Sequence, residues 1–363
     1  MKIAVLGGGN GSFAAAADLT LAGHEIRLWR RDEQAAAAHR TAGGTIAMKD
    51  HAGDHQAHLA VITSDLAAAI TGAELILCPT PAFAQPAIAA RLAPLLSDGQ
   101  VVFLPPGTFG SILFARTARD AGNRATVSFA ETGTLPWLAR KHGSYAVRIS
   151  GRGKRLPTGV FPQSRAPHAL QVIAAAFPNA IEPCGDALSG ALMNAGPIIH
   201  PPLIMMNAGP IEHFDRWDIH KEGTQKSIRR VTDRLDAERI AVREALGYGP
   251  PHFPLADHYA REGDEWMYGR GSHEKLTDSG DWHEHLVLCE HRYMLEDTRI
   301  GLSLLVSVAA LAGIETPLAR AFLALGSAIC GEDFQQSGRT LASLGLGGLD
   351  RSRLQTLLRD GFA

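Results

Sequence analysis

The sequence predicts an α/β fold, in which an N-terminal domain built on a parallel sheet precedes an all-helical C-terminal domain. Up to about residue 130, short apolar runs alternate with alanine-rich helical stretches. A glycine-rich loop follows the first apolar run, and strand-like runs become rare after about residue 186. Continuous apolar strands separated by helices are typical of a parallel sheet covered on both faces.

The elements of the first half follow from this alternation. Apolar runs predict strands at Lys2–Leu6, Glu25–Trp29, Leu59–Ile62, Glu74–Cys78, Gln100–Leu104 and Arg124–Phe129. Alanine-rich stretches between them predict helices at Ser12–Ala22, Phe83–Leu96 and Gly110–Ala121. Residues 145–162 predict one or two extra strands around a basic glycine turn. We expect residues 1–185 to form this first domain, since 363 residues suggest about two domains.

The second half, residues 186–363, predicts a helical substrate and catalytic domain. Its predicted helices are Ala187–Asn194, Thr224–Leu246, His283–Glu296 and Gly301–Ala312. The segment Gly247–Trp282 is long, polar and rich in Gly, Pro and His, which indicates an ordered loop or lid over a cleft.

Composition and charge exclude several classes of protein. The chain is 45% hydrophobic and 20% charged with a net charge of −2, so no basic field favours nucleic acid or anionic membranes. The longest late apolar stretch, Ile300–Ile314, is shorter than the ~20 residues that a membrane span needs. Glycines also interrupt the N-terminal apolar run, which argues against a signal peptide. We therefore expect a cytoplasmic protein.

The four cysteines make no metal or disulfide pattern. Cys78, Cys184, Cys289 and Cys330 are far apart and form no CxxC pair, which excludes a zinc ribbon or a disulfide scaffold and fits a reducing compartment. The sequence leaves the oligomeric state open, with a homodimer as one option.

The glycine loop predicts a dinucleotide site. Gly7, Gly9, Asn10, Gly11 and Ser12 lie between the first strand and an alanine-rich helix. Gly7 permits a tight turn, Gly9 lets the backbone approach a pyrophosphate, and the helix N-terminus offers free N–H groups to it. Ser12 stands where the G-x-G-x-x-G pattern has its third glycine. Together these features indicate a Rossmann-type domain, with Pro79 on the next ligand loop of the sheet.

The end of the second strand bears on the choice of cofactor. Arg30 and Arg31 directly follow this strand, and Asp32 comes only after them. A guanidinium suits the 2′-phosphate of NADP, whereas an acidic residue at the strand end would favour NAD. We therefore expect NADP or NAD, with NADPH favoured. The alternative is that Arg30 stacks on adenine and accepts either cofactor.

The second domain holds the candidates for chemistry. His200 precedes two prolines inside the apolar segment Met193–Gly209, an unusual place for a surface histidine. Further on, Arg292 and Asp297 flank a short segment that leads into an apolar helix.

At these residues the sequence resembles the opine dehydrogenase family, which includes octopine and nopaline dehydrogenases and bacterial N-carboxyalkyl amino acid dehydrogenases. The likeness spans nearly the whole chain. Besides the glycine loop and the Ile-His-Pro-Pro segment at His200, it includes Ala130–Pro136, Lys221–Thr224, Leu235–Arg239, Arg292–Asp297 and Gly338–Leu341. Several motifs in one order are more specific than any single motif.

The resemblance implies a reaction and roles for residues. The family joins an amino acid amino group to a 2-oxo acid and reduces the imine with a nicotinamide hydride. His200 matches the catalytic histidine, Asp297 its carboxylate partner, and Arg292 the arginine that binds the oxo acid carboxylate. These roles are physically reasonable, because histidine titrates near neutral pH and arginine binds carboxylates bidentately. By analogy, the oxo acid is small, such as pyruvate or glyoxylate.

Three further substrate-binding candidates depend on the same resemblance. Family members often carry Asn four residues before the histidine, where this chain has Gly196. Either Asn194 takes over that contact or water supplies it. Glu131 and Thr134 are expected on a loop facing the nicotinamide and the amino acid, with simple loop capping as the alternative.

Other interpretations remain open. His51, His55 and His58 could share a helix face, and a second group holds His283, His285, Cys289 and His291, yet neither has a recognisable zinc spacing. We therefore predict no metal. The rival functions are a dehydrogenase of a small hydroxy acid or polyol phosphate, and a nicotinamide-sensing protein without turnover. The expected partners are small-molecule substrates.

Overall fold

The computed structural model describes residues 1–362, which form two compact units. The first unit contains Met1–Thr80, Ala84–Gly190 and the segment that starts at Leu358. The second contains Pro81–Phe83 and Ala191–Leu357. No helix within residues 1–362 is long and apolar enough to cross a membrane.

The twelve strands found within residues 1–362 belong to the first unit. They are β1 (Lys2–Leu6), β2 (Glu25–Trp29), β3 (Thr45–Asp50), β4 (Gly53–His58), β5 (Val61–Thr63), β6 (Leu75–Leu77), β7 (Val101–Leu104), β8 (Ser128–Thr132), β9 (Trp137–Lys141), β10 (Ala146–Arg152), β11 (Leu156–Phe161) and β12 (Ile181–Asp186). Eight of them form one sheet in the order β12-β11-β8-β7-β6-β1-β2-β5. Its pairs are parallel except β11 with β8. The other four form a smaller sheet in the order β4-β3-β10-β9.

The helices accompany the large sheet in the first unit and make up most of the second. In the first they are α1 (Asn10–Leu21), α2 (Glu33–Thr41), α3 (Leu66–Ile70), α4 (Gln85–Leu92), α5 (Gly110–Asp120) and α6 (Ala166–Ala176), followed by α7 (Ala187–Ala191). Later come α8 (Gly196–Met205), α9 (Ala208–His213), α10 (Lys226–Ala245), α11 (Leu255–Tyr259), α12 (Ser272–Asp278), a π-helix (Tyr293–Leu302), α13 (Ser303–Ala312), α14 (Pro317–Cys330), α15 (Phe334–Ser337) and α16 (Arg351–Asp360). The predicted parallel-sheet domain and helical domain are confirmed.

The core of the first unit explains its alanine-rich first helix. In α1, the four alanines Ala14–Ala17 are fully buried, and so are Ile3, Val5 and Phe103 in the strands. A helix that is apolar on every side is stable only when it is buried on every side. Packing of α1 in this core fixes its N-terminus at the carboxyl end of β1.

The predictions for two histidine-rich segments differ from the structure. The polar stretch with His51, His55 and His58 is an antiparallel hairpin, β3–β4, and not a helix face. Its buried residues alternate with exposed ones, the period-two pattern of a strand with one covered face. The predicted helix His283–Glu296 is also wrong, because helical structure begins only at Tyr293, and there as a π-helix.

Candidate active site

Helix α8 presents His200 in a segment where the helical backbone is incomplete. Pro201 and Pro202 follow the histidine inside the helix. Proline has no N–H, so two carbonyls of the preceding turn lose their usual helical partner. The helix nevertheless forms because its apolar residues, Ile198 and Leu203 among them, are buried.

His200 and Asp297 form a hydrogen-bonded pair. The His200 Nδ1 lies 2.7 Å from the Asp297 Oδ2, and the two side chains are 15% and 4% exposed. Tyr293 stacks on the imidazole at 3.9 Å between ring centroids, and the ring of His220 approaches edge-on at 5.6 Å. This arrangement holds the imidazole ring and assigns Nδ1 to the carboxylate. It makes Nε2 the nitrogen suited to exchange protons with a substrate.

The π-helix gathers an unusual set of charges. Burial raises the pKa of Asp297 to about 7, although nearby Arg292 acts in the opposite direction. Burial also raises the pKa of Glu296 to about 7; Arg292 opposes this rise and the charge of Asp297 adds to it. Perturbed carboxyl groups of this kind are common at functional sites. π-Helical turns are frequent there as well.

Arg292 is anchored at one end and open at the other. Its side chain is 40% exposed, and its Nε lies 3.4 Å from the Glu296 Oε2. The second oxygen of Glu296 accepts a hydrogen bond from the Ala82 N–H at 3.0 Å. Glu296 thus holds the Nε of the Arg292 guanidinium, while the two terminal nitrogens of Arg292 reach outward. A planar carboxylate fits such a fork bidentately.

The structure gives a reason for the glycine at position 196. A Cβ added to Gly196 would overlap the carboxylate of Asp297. The Asn194 Oδ1 accepts a hydrogen bond from the Gly196 N–H at 3.0 Å. Asn194 is buried just before α8, and its side chain contacts the backbone at the beginning of that helix.

We expect Gly196→Ala to displace Asp297 and so disturb its bond to His200. A misplacement of about 1 Å typically costs ~10²-fold in rate, so kcat should fall by about that factor while cofactor affinity is retained. Gly209→Ala in α9 is the matched control, because a Cβ at Gly209 meets nothing within 4 Å. Steady-state kinetics and cofactor titration of both variants check this. Equal kcat values for the two variants would contradict it.

The glycine loop has the geometry that the sequence predicts for it. Gly7 has a φ of +118°, which only glycine adopts readily. The Ser12 Oγ donates to the Leu6 carbonyl at 3.1 Å, in the space that a Cβ on Gly7 would enter. Gly9 precedes α1 with no side chain capping the helix. The N–H groups of the first turn are therefore suited to a pyrophosphate.

Close contacts surround the rest of the loop. A Cβ at Gly11 would lie 2.8 Å from a Leu135 methyl carbon and 3.1 Å from the Pro79 Cβ, so only glycine fits there. The Asn10 Oδ1 accepts the backbone N–H of Lys141 at 3.0 Å. Pro79 and Asn10 thus lie at the loop, in support of their predicted place, and Lys141 is a neighbour that the sequence reasoning missed.

Two arginines and the aspartate that caps α2 directly follow β2. The Arg30 guanidinium lies 5.6 Å from the centre of the Phe13 ring and donates to the Ala35 carbonyl at 3.2 Å. Arg31 is exposed. The Asp32 carboxylate accepts the N–H groups of Gln34 and Ala35 and caps α2. The acidic residue of this turn is thus used by the helix.

The sequence predicts Glu131 on a loop, but the residue lies inside β8 and is fully buried. Its carboxylate accepts the Phe109 N–H at 2.7 Å, the Ser111 N–H at 3.2 Å and the Ser111 hydroxyl. It therefore holds the beginning of α5, which corresponds to the capping alternative. Thr134 lies half-buried in the turn between β8 and β9.

The histidine groups of the sequence do not gather metal ligands. Within residues 1–362, no three His, Cys, Asp or Glu side chains are placed to hold a metal ion. In the β3–β4 hairpin, the His55 Nε2 instead lies 3.1 Å from the Asp50 Oδ1.

Comparison with known proteins shows which enzymes the chain resembles. The model for the α-helical domain of NAD/NADP octopine/nopaline dehydrogenases matches residues 183–330. The model for the N-terminus of NAD-dependent glycerol-3-phosphate dehydrogenase matches residues 2–105. An opine dehydrogenase from Arthrobacter sp. (strain 1C) is 29% identical, over 97% of each chain. The chain is thus similar to opine dehydrogenases along nearly its whole length.

Two further relatives agree with this assignment. A vitopine synthase from Allorhizobium ampelinum is 28% identical over 97% of this chain and 98% of its own. A solved octopine dehydrogenase in complex with NADH and agmatine has the same fold, with a TM-score of 0.72 at 19% identity, over 100% and 99% of the two chains. The chain is an NAD(P)-dependent oxidoreductase acting on CH–NH groups. Its reaction is the reductive condensation of an amino acid with a 2-oxo acid.

Proposed function

We propose that this opine dehydrogenase uses NADPH to join an amino acid to a small 2-oxo acid such as pyruvate or glyoxylate, with His200 and Asp297 as its proton-handling pair. The observation that carries the proposal is the 2.7 Å bond between these two side chains beneath a stacked tyrosine. We assign the cofactor to the first unit and the substrate chemistry to the second.

The proton steps fall to His200. Condensation expels the oxo acid oxygen as water, and that oxygen needs a proton, which the imidazolium supplies from Nε2. Asp297 accepts from Nδ1 and stabilises the imidazolium. Loss of this water leaves a protonated imine, and a bound nicotinamide would supply the hydride that reduces its carbon. The π electrons of the C=N bond then return to the nitrogen as its lone pair, and the product is a secondary amine.

Substrate binding falls to Arg292. Its terminal nitrogens are suited to the oxo acid carboxylate, and Glu296 fixes the guanidinium from behind. Holding both reactants in line supplies a large share of catalysis, because it replaces encounters in solution.

In the first unit, Gly7, Gly9, Gly11 and Ser12 would hold the pyrophosphate at the N-terminus of α1. Arg30 and Arg31 would favour NADPH, because a guanidinium suits its 2′-phosphate and the Asp32 carboxylate is engaged as a helix cap. A cytoplasmic location is supported by four free cysteines. We also propose a homodimer, which light scattering would test.

Oxidation of NADPH and NADH at 340 nm, with amino acids crossed against 2-oxo acids, tests the proposed function. Turnover that needs both partners, is fastest with a small oxo acid and has the lower KM for NADPH supports it. Turnover with an oxo compound alone would assign the protein to the hydroxy acid dehydrogenases. Cofactor binding without any turnover would favour the sensing alternative.

Arg292→Lys is expected to raise KM for the oxo acid by about 10- to 100-fold, since lysine cannot replace a bidentate fork. KM for the amino acid should change much less. Arg230→Lys, on the exposed side of α10, is the control. Initial rates with each substrate varied in turn measure the effect. An equal rise in both KM values would argue against a specific contact between Arg292 and the oxo acid.

A further inference from the structure

Lys141 is fastened to the glycine loop from a distant part of the chain. It is the last residue of β9, in the small sheet. Its backbone N–H donates to the Asn10 Oδ1 at 3.0 Å, and its Nζ donates to the Gly8 carbonyl at 3.2 Å. Two hydrogen bonds thus place an ammonium group directly beside the loop that would bind pyrophosphate.

Lys141 shares one aromatic ring with Arg30. The Lys141 Nζ lies 4.0 Å and the Arg30 Cζ 5.6 Å from the centre of the buried Phe13 ring. The Arg30 guanidinium also approaches Gly8, since a Cβ there would lie 3.3 Å from the Arg30 Nε. Two cations therefore lie around the same residue of the loop.

No carboxylate within residues 1–362 neutralises this pair of cations. Arg30 and Lys141 donate to carbonyl oxygens, and the nearby Asp32 carboxylate is used by the backbone of α2. Burial lowers the pKa of Lys141, and the charge of Arg30 lowers it further. Two half-buried cations are stabilised when an anion joins them. Their arrangement therefore suits an anionic ligand.

We propose that Lys141 and Arg30 form a two-cation site for the 2′-phosphate of NADPH, with Lys141 supplied by the small sheet. In a Rossmann-type domain the adenosine ribose lies near the end of the second strand, where Arg30 lies. A dianionic phosphate there accepts charge-assisted hydrogen bonds from both side chains. The inference rests on the proposed preference for NADPH and adds the residue that enforces it.

The test compares Lys141→Met with the wild-type protein by titration with NADPH and NADH, followed by nicotinamide fluorescence. We expect the Kd of NADPH to rise about tenfold or more, the usual weight of a charged hydrogen bond, and the Kd of NADH to stay within about threefold. Calorimetry with 2′,5′-ADP and with 5′-AMP repeats the comparison without the nicotinamide. The salt dependence of NADPH binding should also decrease in the variant.

Two further variants separate charge from structure. Lys49→Met removes the same charge from the same sheet, where Lys49 is 64% exposed and lies 3.8 Å from Asp54, so it should leave both Kd values unchanged. Lys141→Arg keeps the charge and should retain most of the preference for NADPH. If Lys141→Met weakens NADPH and NADH equally, Lys141 only supports the glycine loop and the inference is overturned.

The outcome for the wild-type protein separates this inference from the proposed function. If the wild-type protein binds NADH as tightly as NADPH, the proposed preference itself fails. If it prefers NADPH and Lys141→Met keeps that preference in full, only the role of Lys141 fails.

Discussion

His200→Ala should lower kcat for reductive condensation by about 10³-fold, the range expected when a general acid–base group is removed. The variant should still bind cofactor with wild-type affinity, because the glycine loop belongs to the first unit. Stopped-flow or steady-state NADPH oxidation with the best substrate pair measures the first effect. Fluorescence titration measures the second.

The matched control for His200→Ala is His51→Ala, in the turn between β3 and β4, where the histidine is exposed. Its kcat should equal that of the wild-type protein. Retention of a tenth or more of the activity in His200→Ala would contradict a proton-transfer role. His200 would then be a buried residue that only packs against Tyr293.

Asp297→Asn should remove the acid limb of the pH–rate profile and lower kcat on the order of 10³-fold, because an amide favours the wrong imidazole tautomer. Burial raises the pKa of the Asp297 carboxyl to about 7. Below that pH the carboxyl is protonated and no longer stabilises an imidazolium. Activity of the wild-type enzyme should therefore decrease as the pH falls through about 7.

Glu296→Gln is the control for this assignment, since burial also raises the pKa of Glu296 to about 7. If Asp297 causes the acid limb, the limb persists in Glu296→Gln and disappears in Asp297→Asn. The reverse result would assign the limb to Glu296.

The same titration has a consequence for stability. A carboxyl whose pKa rises on folding, from 3.8 to about 7 for Asp297, binds its proton more tightly in the folded state. Its contribution to the free energy of unfolding is full below pH 3.8 and is lost as the pH rises through about 7. Urea unfolding between pH 4.5 and 7.5 should show a smaller loss of stability in Asp297→Asn than in the wild-type protein.

Features encoded in short segments could be predicted from the sequence. The turn at Gly7, the strand before it and the alanine-rich α1 after it are formed by neighbouring residues, so the glycine loop was predicted with its geometry. The repeated strand–helix alternation predicted the parallel sheet in the same way. His200, Arg292 and Asp297 are candidate site residues because several motifs occur in one order, which no single side chain would indicate.

Contacts between residues that are distant in the sequence could be identified only from the tertiary structure. His200 meets Asp297 across a sequence separation of 97 residues, and Lys141 reaches Gly8 across 133. Gly196 has no local reason to be glycine, and its reason is the carboxylate of Asp297 in the space beside it. Glu131 is similar, since its buried partners lie 20 and 22 residues earlier in the chain.

The physical reason for this division is the range of the interactions. Backbone conformation and periodic burial depend on residues a few positions apart, so strands, helices and the glycine turn can be inferred from local sequence. Charge pairing, pKa shifts and close packing depend on which distant segments the core brings together. Thus the dinucleotide fold and the family motifs were evident in the sequence, whereas the His200–Asp297 bond and the pairing of Lys141 with Arg30 were decided by packing.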